Sequence, residues 1–239
     1  MSMVFYDAGS MTIGVDSSQV EERLGEIRNK APAVIKVAAN YTARETRKEM
    51  LRRALNRYAV NAKGKEKIQG LKQRVKATNA NPAAVLWIGG NAGMRSDLAY
   101  FRHQDTAAHS GRDWKNGPEV FRAQVLKRGG MKKLSGGDGG SKGFLAHFSS
   151  GHIGMIQRVI GSSTDRMTTY TGAARWKNAH GEVREVEQTR TYSAPSGTAM
   201  HRTVWYKEEA AQYAQDTLQR KLEDQIEKVI ARAAAKSGR

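Results

Sequence analysis

The stretch GFLAHFSSGHIGMIQRV, Gly143 to Val159, restricts the fold of this chain more than any other. Phe144, Ala146 and Phe148 alternate with Leu145 and His147, and beyond Ser149-Ser150-Gly151-His152 the residues Ile153, Met155, Gln157 and Val159 alternate with Ile156, Arg158 and Ile160. Period-two patterning on both sides of a polar Ser/Gly break predicts a β-hairpin. Upstream, VFRAQVLK (120–127) puts Phe121, Ala123 and Val125 on one face of a further strand. Together these runs predict a small antiparallel sheet, with helical segments at both ends of the chain available to cover it.

The flanking segments have the helical period. Asp16-Ser17-Ser18 offers an N-cap, and Val20, Leu24, Ile27 and Ala31 follow at helical spacing. Pro32 is expected to interrupt the pattern, which resumes from Ala33 to about Tyr58. Within it, Arg44, Lys48 and Arg52 stand four apart and so line one side of a helix, with Glu45 and Glu49 between them. This stripe suits a nucleic-acid backbone or an acidic neighbour, and equally a solvated outer face. Ala83 to Ile88 predicts a strand, and Val183 to Tyr192 a weaker one. Ser193 to Gly197, with Pro195 and Ser196, is expected to break regular structure. A single last helix is predicted from about Thr203 to Lys236, its apolar line running through Ala211, Gln215, Leu218, Leu222, Ile226, Val229 and Ala233. The architecture expected is α+β: a small antiparallel sheet with long loops, flanked by a long N-terminal helix and a C-terminal helix. Residues 1–16 form an N-terminal arm and 17–239 one domain, in which 161–190 is an extended connector or insertion.

Composition narrows the function classes. Among 239 residues, 40 Lys and Arg face 23 Asp and Glu, a net charge of +17, and the isoelectric point is near 10.2. Such a balance favours polyanions or acidic neighbours. Hydrophobic residues make up only 39%, so burial against other subunits is expected to supplement a modest core. The absence of cysteine excludes a disulfide scaffold and a thiolate zinc site. No apolar run approaches the roughly 20 residues of a membrane-spanning helix. The first residues lack the basic and long apolar regions of a secretory signal. The expectation is a soluble protein made inside the cell, without membrane contact.

Two stretches invite chemistry without meeting its spacing. Asp97, His103, Asp105, His109 and Asp113 are metal-binding types. They match neither a His pair four apart on a helix nor a calcium loop, and a polar loop is the expected reading. A metal-dependent nuclease would need such carboxylates to converge on an ion. In GGMKKLSGGDGGSKG (129–143), Lys142 follows Ser141 and precedes a glycine, which is not the G-x-x-x-x-G-K-[ST] order of a phosphate loop. This run, with Lys132, Lys133 and Lys142, is expected to be a long excursion that becomes ordered against a neighbouring subunit. No catalytic set, cofactor site or metal site is expected.

The order of short motifs is more informative than any one of them. A long N-terminal helix ends in ALNRYAV (54–60). KATNANPAAVLWIGG (76–90), SDLAYFRHQ (96–104), FRAQVLKRGGMKKLSGG (121–137), KGFLAHFSSGHIGMIQRV (142–159) and YSAPSGTAM (192–200) follow, and a C-terminal helix closes the series. In this order the chain resembles the phage minor tail protein Z family, the tail completion proteins, over roughly residues 17–235. The most specific part is the core F-x-A-x-x-x-S-G-H-x-G-x-x-Q-R, carried by Phe144, Ala146, Gly151, His152, Gly154, Gln157 and Arg158, with Pro195 and Ser196 in the later motif. The stretch 161–190 departs from the pattern by its length. The resemblance implies a non-enzymatic virion protein that finishes the head-proximal end of a long tail and helps it join the head. It implies copies of itself in a hexameric ring, contacts with tail terminator, tail tube or head–tail connector proteins, synthesis in the host bacterial cytoplasm and a final place in the tail or neck. Arg44, Lys48, Arg52, Lys132, Lys133 and Lys142 would then face a DNA channel or an adjoining ring. A sequence-nonspecific nucleic-acid-binding protein is the alternative, although Trp87, Tyr100, Trp114, Trp176 and Trp205 are too scattered to form a stacking strip.

Overall fold

The structure is a computed structural model that describes residues 2–7, 10–68, 72–87, 95–104, 122–133, 140–147, 153–159, 188–191 and 193–237. The chain forms two compact units, each built from separate segments: residues 1–55, 66–94 and 197–239 in the first, and 56–65 with 95–196 in the second. The span 17–239, read from sequence as one domain, contributes to both.

In the first unit, β1 (Ser2–Asp7) and β2 (Ser10–Val15) form an antiparallel hairpin. The expected N-terminal arm is therefore built into a sheet. Asp16 caps α1 (Ser17–Leu24), its side chain accepting from the Ser18 amide. A 3-10 turn over Gly25–Lys30 links it to α2 (Ala31–Arg57). The helical break thus falls at Gly25, whose φ of 54° suits glycine, and at Ile27, which is non-helical (φ −96°, ψ 22°). Pro32 does not interrupt α2 but sits in its first turn, where an amide hydrogen has no intrahelical acceptor to lose. The buried face of α2 includes Val34, Ile35, Ala38, Ala39, Thr42, Ala43, Thr46, Met50 and Ala54, a stripe of mostly small side chains at three- and four-residue steps.

After α3 (Ala62–Ile68), β3 (Lys72–Val75) and β4 (Ala84–Trp87) complete a four-stranded antiparallel sheet of order β1-β2-β4-β3. Met11 pairs with Leu86 and Ile13 with Ala84, and all four are fully buried. Asn40 of α2 clamps the loop before β4: its Nδ2 donates to the Ala77 carbonyl and its Oδ1 accepts from the Ala77 amide, both at 3.0 Å.

The second unit contains β5 (Arg95–Asp97), a 3-10 turn over Leu98–Tyr100, β6 (Arg102–His103), β7 (Arg122–Gln124), β8 (Lys132–Lys133), β9 (Gly140–His147), β10 (Ile153–Val159), β11 (Gln188–Thr191) and β12 (Ser193–Pro195). β9 and β10 pair as the expected antiparallel hairpin. The buried pair Leu145 and Met155 lies directly across it, with Gly154 opposite Ala146 and Ile156 opposite Phe144. Between the pairs Gln157–Gly143 and Val159–Gly140, β9 carries one residue more than β10, a bulge accommodated in its glycine-rich end. β11 extends the sheet on the other edge of β10. VFRAQVLK does not join this hairpin: β7 pairs with β6 and β8 in a separate sheet, and β5 pairs with β12 in a fourth. Ser193–Pro195, expected to be irregular, is thus a strand; Pro195 ends it, where no further ladder bond is needed.

The chain returns to the first unit as two helices where one was expected, α4 (Gly197–Lys207) and α5 (Ala210–Ser237). Glu209, at φ 55°, separates them. α5 packs on β1, α1 and α4. Tyr41 of α2 lies by Lys221 and Arg53 by Tyr213, so α2 and α5 run antiparallel. Upstream of Leu218 the buried line passes through Ala214 and Ala210, not Gln215 and Ala211. Helices at the two ends of the chain with small antiparallel sheets make the protein α+β. Among the described residues, no helix is long and apolar enough to cross a membrane.

Candidate functional site

α2 presents the cationic stripe to solvent. The side chains of Arg44, Lys48 and Arg52 are 60%, 66% and 60% exposed, while Glu45 and Glu49 between them are only 20% and 13% exposed. The carboxylates therefore lie beneath the cations. Glu45 accepts from Lys48 at 3.0 Å and from Arg44 at 3.1 Å, and these bonds, that to Lys48 foremost, lower its pKa. Glu49 accepts from Arg52 Nε at 2.7 Å and from Arg53 Nε at 2.8 Å. The hydrogen bond from Arg52, reinforced by Arg53, outweighs partial burial and brings the Glu49 pKa down to about 2. Arg52 in turn is held protonated more firmly than usual. Tyr41 joins this face with Arg44 5.2 Å and Lys221 4.7 Å from its ring centre. Lys221 comes from α5, a contribution that the spacing within α2 could not signal. The outer surface thus carries Arg44, Lys48 and Arg52 over two recessed carboxylates, with Arg53 and Lys221 recessed at their side, Lys221 lying 3.4 Å from Asp224. It can neutralise phosphates or carboxylates, and such exposed pairs add little to stability.

The other residues singled out in the sequence fall in the second unit. Lys132 and Lys133 form β8 and are exposed. Lys142 lies in β9, at the bulge. Phe144 and Ala146 occupy β9, and Gly154, Gln157 and Arg158 occupy β10, so the described part of the motif core lies on one pair of strands. Gly151 and His152 lie outside the described residues, as do Asp105, His109, Asp113 and most of 161–190. Pro195 and Ser196, half-buried, stand at the end of β12 and before α4. Asp97 is buried, and its Oδ1 accepts from the Ala99 amide at 2.8 Å and from the Met155 amide at 3.0 Å. It thereby caps the 3-10 turn and ties it to β10, an architectural use of the carboxylate. Among the described residues, no group of three or more His, Asp or Glu side chains is placed to hold a metal ion.

A cavity of about 680 Å³ opens within the second unit. Its walls come from residues 59–63 and 99–103, with Gln124, Lys127 and Leu145. Several wall polar groups are held by hydrogen bonds within the unit. The Ala59 amide donates to Val125 O at 2.9 Å, the Arg102 amide to Ala59 O at 2.7 Å and the Asn61 amide to Tyr100 O at 3.0 Å. Asn61 Nδ2 donates to Ala99 O and Phe101 O, and Gln124 Nε2 to Leu126 O and Lys127 O. Gly64 is essential to this closeness: a Cβ there would lie 2.1 Å from the Tyr100 carbonyl oxygen. ALNRYAV and SDLAYFRHQ are legible as motifs, but their union into one wall depends on pairings such as Val60 with Phe101 that no local pattern encodes.

No family model, no curated protein and no solved structure matches the chain.

Proposed function

We propose that the chain is a structural protein of a long-tailed phage particle, completing the head-proximal end of the tail and supporting its union with the head. The observation that carries this reading is the ordered motif series, above all the F-x-A-x-x-x-S-G-H-x-G-x-x-Q-R core at Phe144 to Arg158. Several features support it. The chain is α+β with long helices at both ends, its net charge is +17, and its carboxylate Asp97 is spent on backbone amides. In this reading the protein acts as a hexameric ring against tail terminator, tail tube or head–tail connector proteins, without cofactor or catalysis. It is made in the host cytoplasm and ends in the virion neck.

Deleting the coding sequence from a phage that bears it tests the proposal. The expected result, by electron microscopy, is filled heads and separate tails, restored to joined particles by supplying the protein. Normal infectious particles without the protein would overturn it.

A second reading, sequence-nonspecific nucleic-acid binding, draws on the α2 face, where the exposed Arg44, Lys48 and Arg52 stand over two recessed carboxylates. Binding of this kind weakens linearly in log salt and ignores base sequence. Tight DNA binding by isolated monomers that never form rings would favour it over tail completion.

A further inference from the structure

The cavity of the second unit combines an apolar lining with exposed cations. Val60 and Tyr100, half-buried, and the exposed Ala62 supply apolar lining that solvent reaches, backed by the buried Phe101 and Leu145. Lys63, Arg102 and Lys127 are exposed and bring three positive charges, and among the described residues no Asp or Glu lines the cavity. Its volume falls in the range of about 300–1,000 Å³ that buries most of a small ligand or a few side chains. Because Asn61, Gln124 and the Ala59 and Arg102 amides are held by hydrogen bonds, this part of the wall needs little ordering when an occupant enters.

We infer that this cavity receives an acidic segment of a partner polypeptide, one in which a bulky apolar side chain stands beside carboxylates. An apolar ligand without charge would leave three cations unneutralised. A bare phosphodiester backbone would neutralise the rim and leave the apolar lining wet. An acidic, apolar segment satisfies both parts: the side chain displaces water from Val60, Ala62 and the Tyr100 ring, and the carboxylates meet Lys63, Arg102 and Lys127. The choice of a polypeptide over a free small anion rests on the assembly function proposed above. The surface suited to it is separate from the α2 stripe in sequence and in structural unit.

The test is fluorescence anisotropy on the full-length protein with a labelled short peptide alternating glutamate with leucine and phenylalanine. Two control peptides replace glutamate by lysine, or the apolar residues by serine. The acidic apolar peptide is expected to bind at least about tenfold more tightly than either control. The double variant Arg102→Glu/Lys127→Glu, at exposed positions, loses that binding by a similar factor. So does Ala62→Trp, which fills the exposed edge of the cavity without disturbing buried residues. The charge-matched variant Arg220→Glu/Lys228→Glu on α5 retains it. Saturation absent up to about 1 mM, equal binding of the lysine peptide, or equal loss in the α5 variant overturns the inference. If the peptide binds as expected but particles join without the protein, the assembly function fails and the pocket assignment stands; the reverse result fails only the pocket.

Discussion

At Gly64 one hydrogen atom decides whether the second unit can close. The Asn61 side chain accepts from the Gly64 amide at 2.9 Å while the Tyr100 carbonyl accepts from the Asn61 amide, leaving no room for a methyl group. Gly64→Ala is expected to cost about 3 kcal/mol or more, at the upper end of overpacking effects, measurable by urea denaturation. His201 and Glu49 set the response to acid. His201 Nε2 donates to the Ile68 carbonyl at 2.9 Å, and its buried Nδ1 has no hydrogen-bond partner among the described residues. Burial lowers its pKa from 6.5 despite that bond. The unfolded chain therefore takes up a proton that the folded chain refuses, so stability falls as pH drops below 6.5. Glu49, ordinarily near 4.5, stays ionised in the fold to about 2; its contribution is present above 4.5 and is lost as pH falls through about 2. Denaturation midpoints should show two acid-destabilising steps. His201→Gln, which keeps an amide donor for Ile68, should flatten the upper one and leave the lower.

Among the elements, the junction of α4 and α5 shows how a break can hide within an unbroken polar pattern. Glu208 and Glu209 look like ordinary helical surface residues. Yet the Glu208 amide still bonds back to Val204 while Glu209 takes a φ of 55°, and its carbonyl accepts from Tyr213 to begin α5. A left-handed residue with a Cβ costs about 1–2 kcal/mol. Glu209→Gly is therefore expected to leave stability unchanged or raise it by up to about 1 kcal/mol. Glu209→Val should lower it, and thermal melting of the pair checks both signs. The hairpin, the strand at Ala84–Trp87, the Asp16 cap and the span of α2 were all legible, because each depends on neighbours a few residues away. The separate sheet of β7 was not, because a run of three paired residues carries no mark of its partner.

For the whole molecule, the surplus charge is its most consequential property. Replacing Arg44, Lys48 and Arg52 together by Glu should change stability little, since these side chains are largely exposed and such pairs are screened by solvent. In the tail-completion reading it should nevertheless abolish head–tail joining, scored as infectious titre. If the same face holds DNA, the slope of log affinity against log salt should shrink by about 0.9 for each phosphate that the variant no longer neutralises. An unchanged titre together with an unchanged slope would leave the stripe as a solvated helix face. The candidate site was legible to the extent that spacing places three cations on one side of α2. The participation of Lys221 required the neighbouring helix, and the recession of Glu45 and Glu49 beneath their cations is a matter of side-chain placement that spacing does not give.

By itself the sequence determined the α+β class, the basic character, the hairpin at its centre and the long helices at its ends, because periodicity and composition are local quantities that tertiary contacts rarely reverse. Only the tertiary structure decided that the described strands divide among four small sheets and the chain between two units. It alone also placed residues 59–63, 99–103, Lys127 and Leu145 around one cavity. Those outcomes depend on which distant segments exchange hydrogen bonds. Most apolar runs here are short enough to fit several partners, and the choice among them is made by packing of the whole.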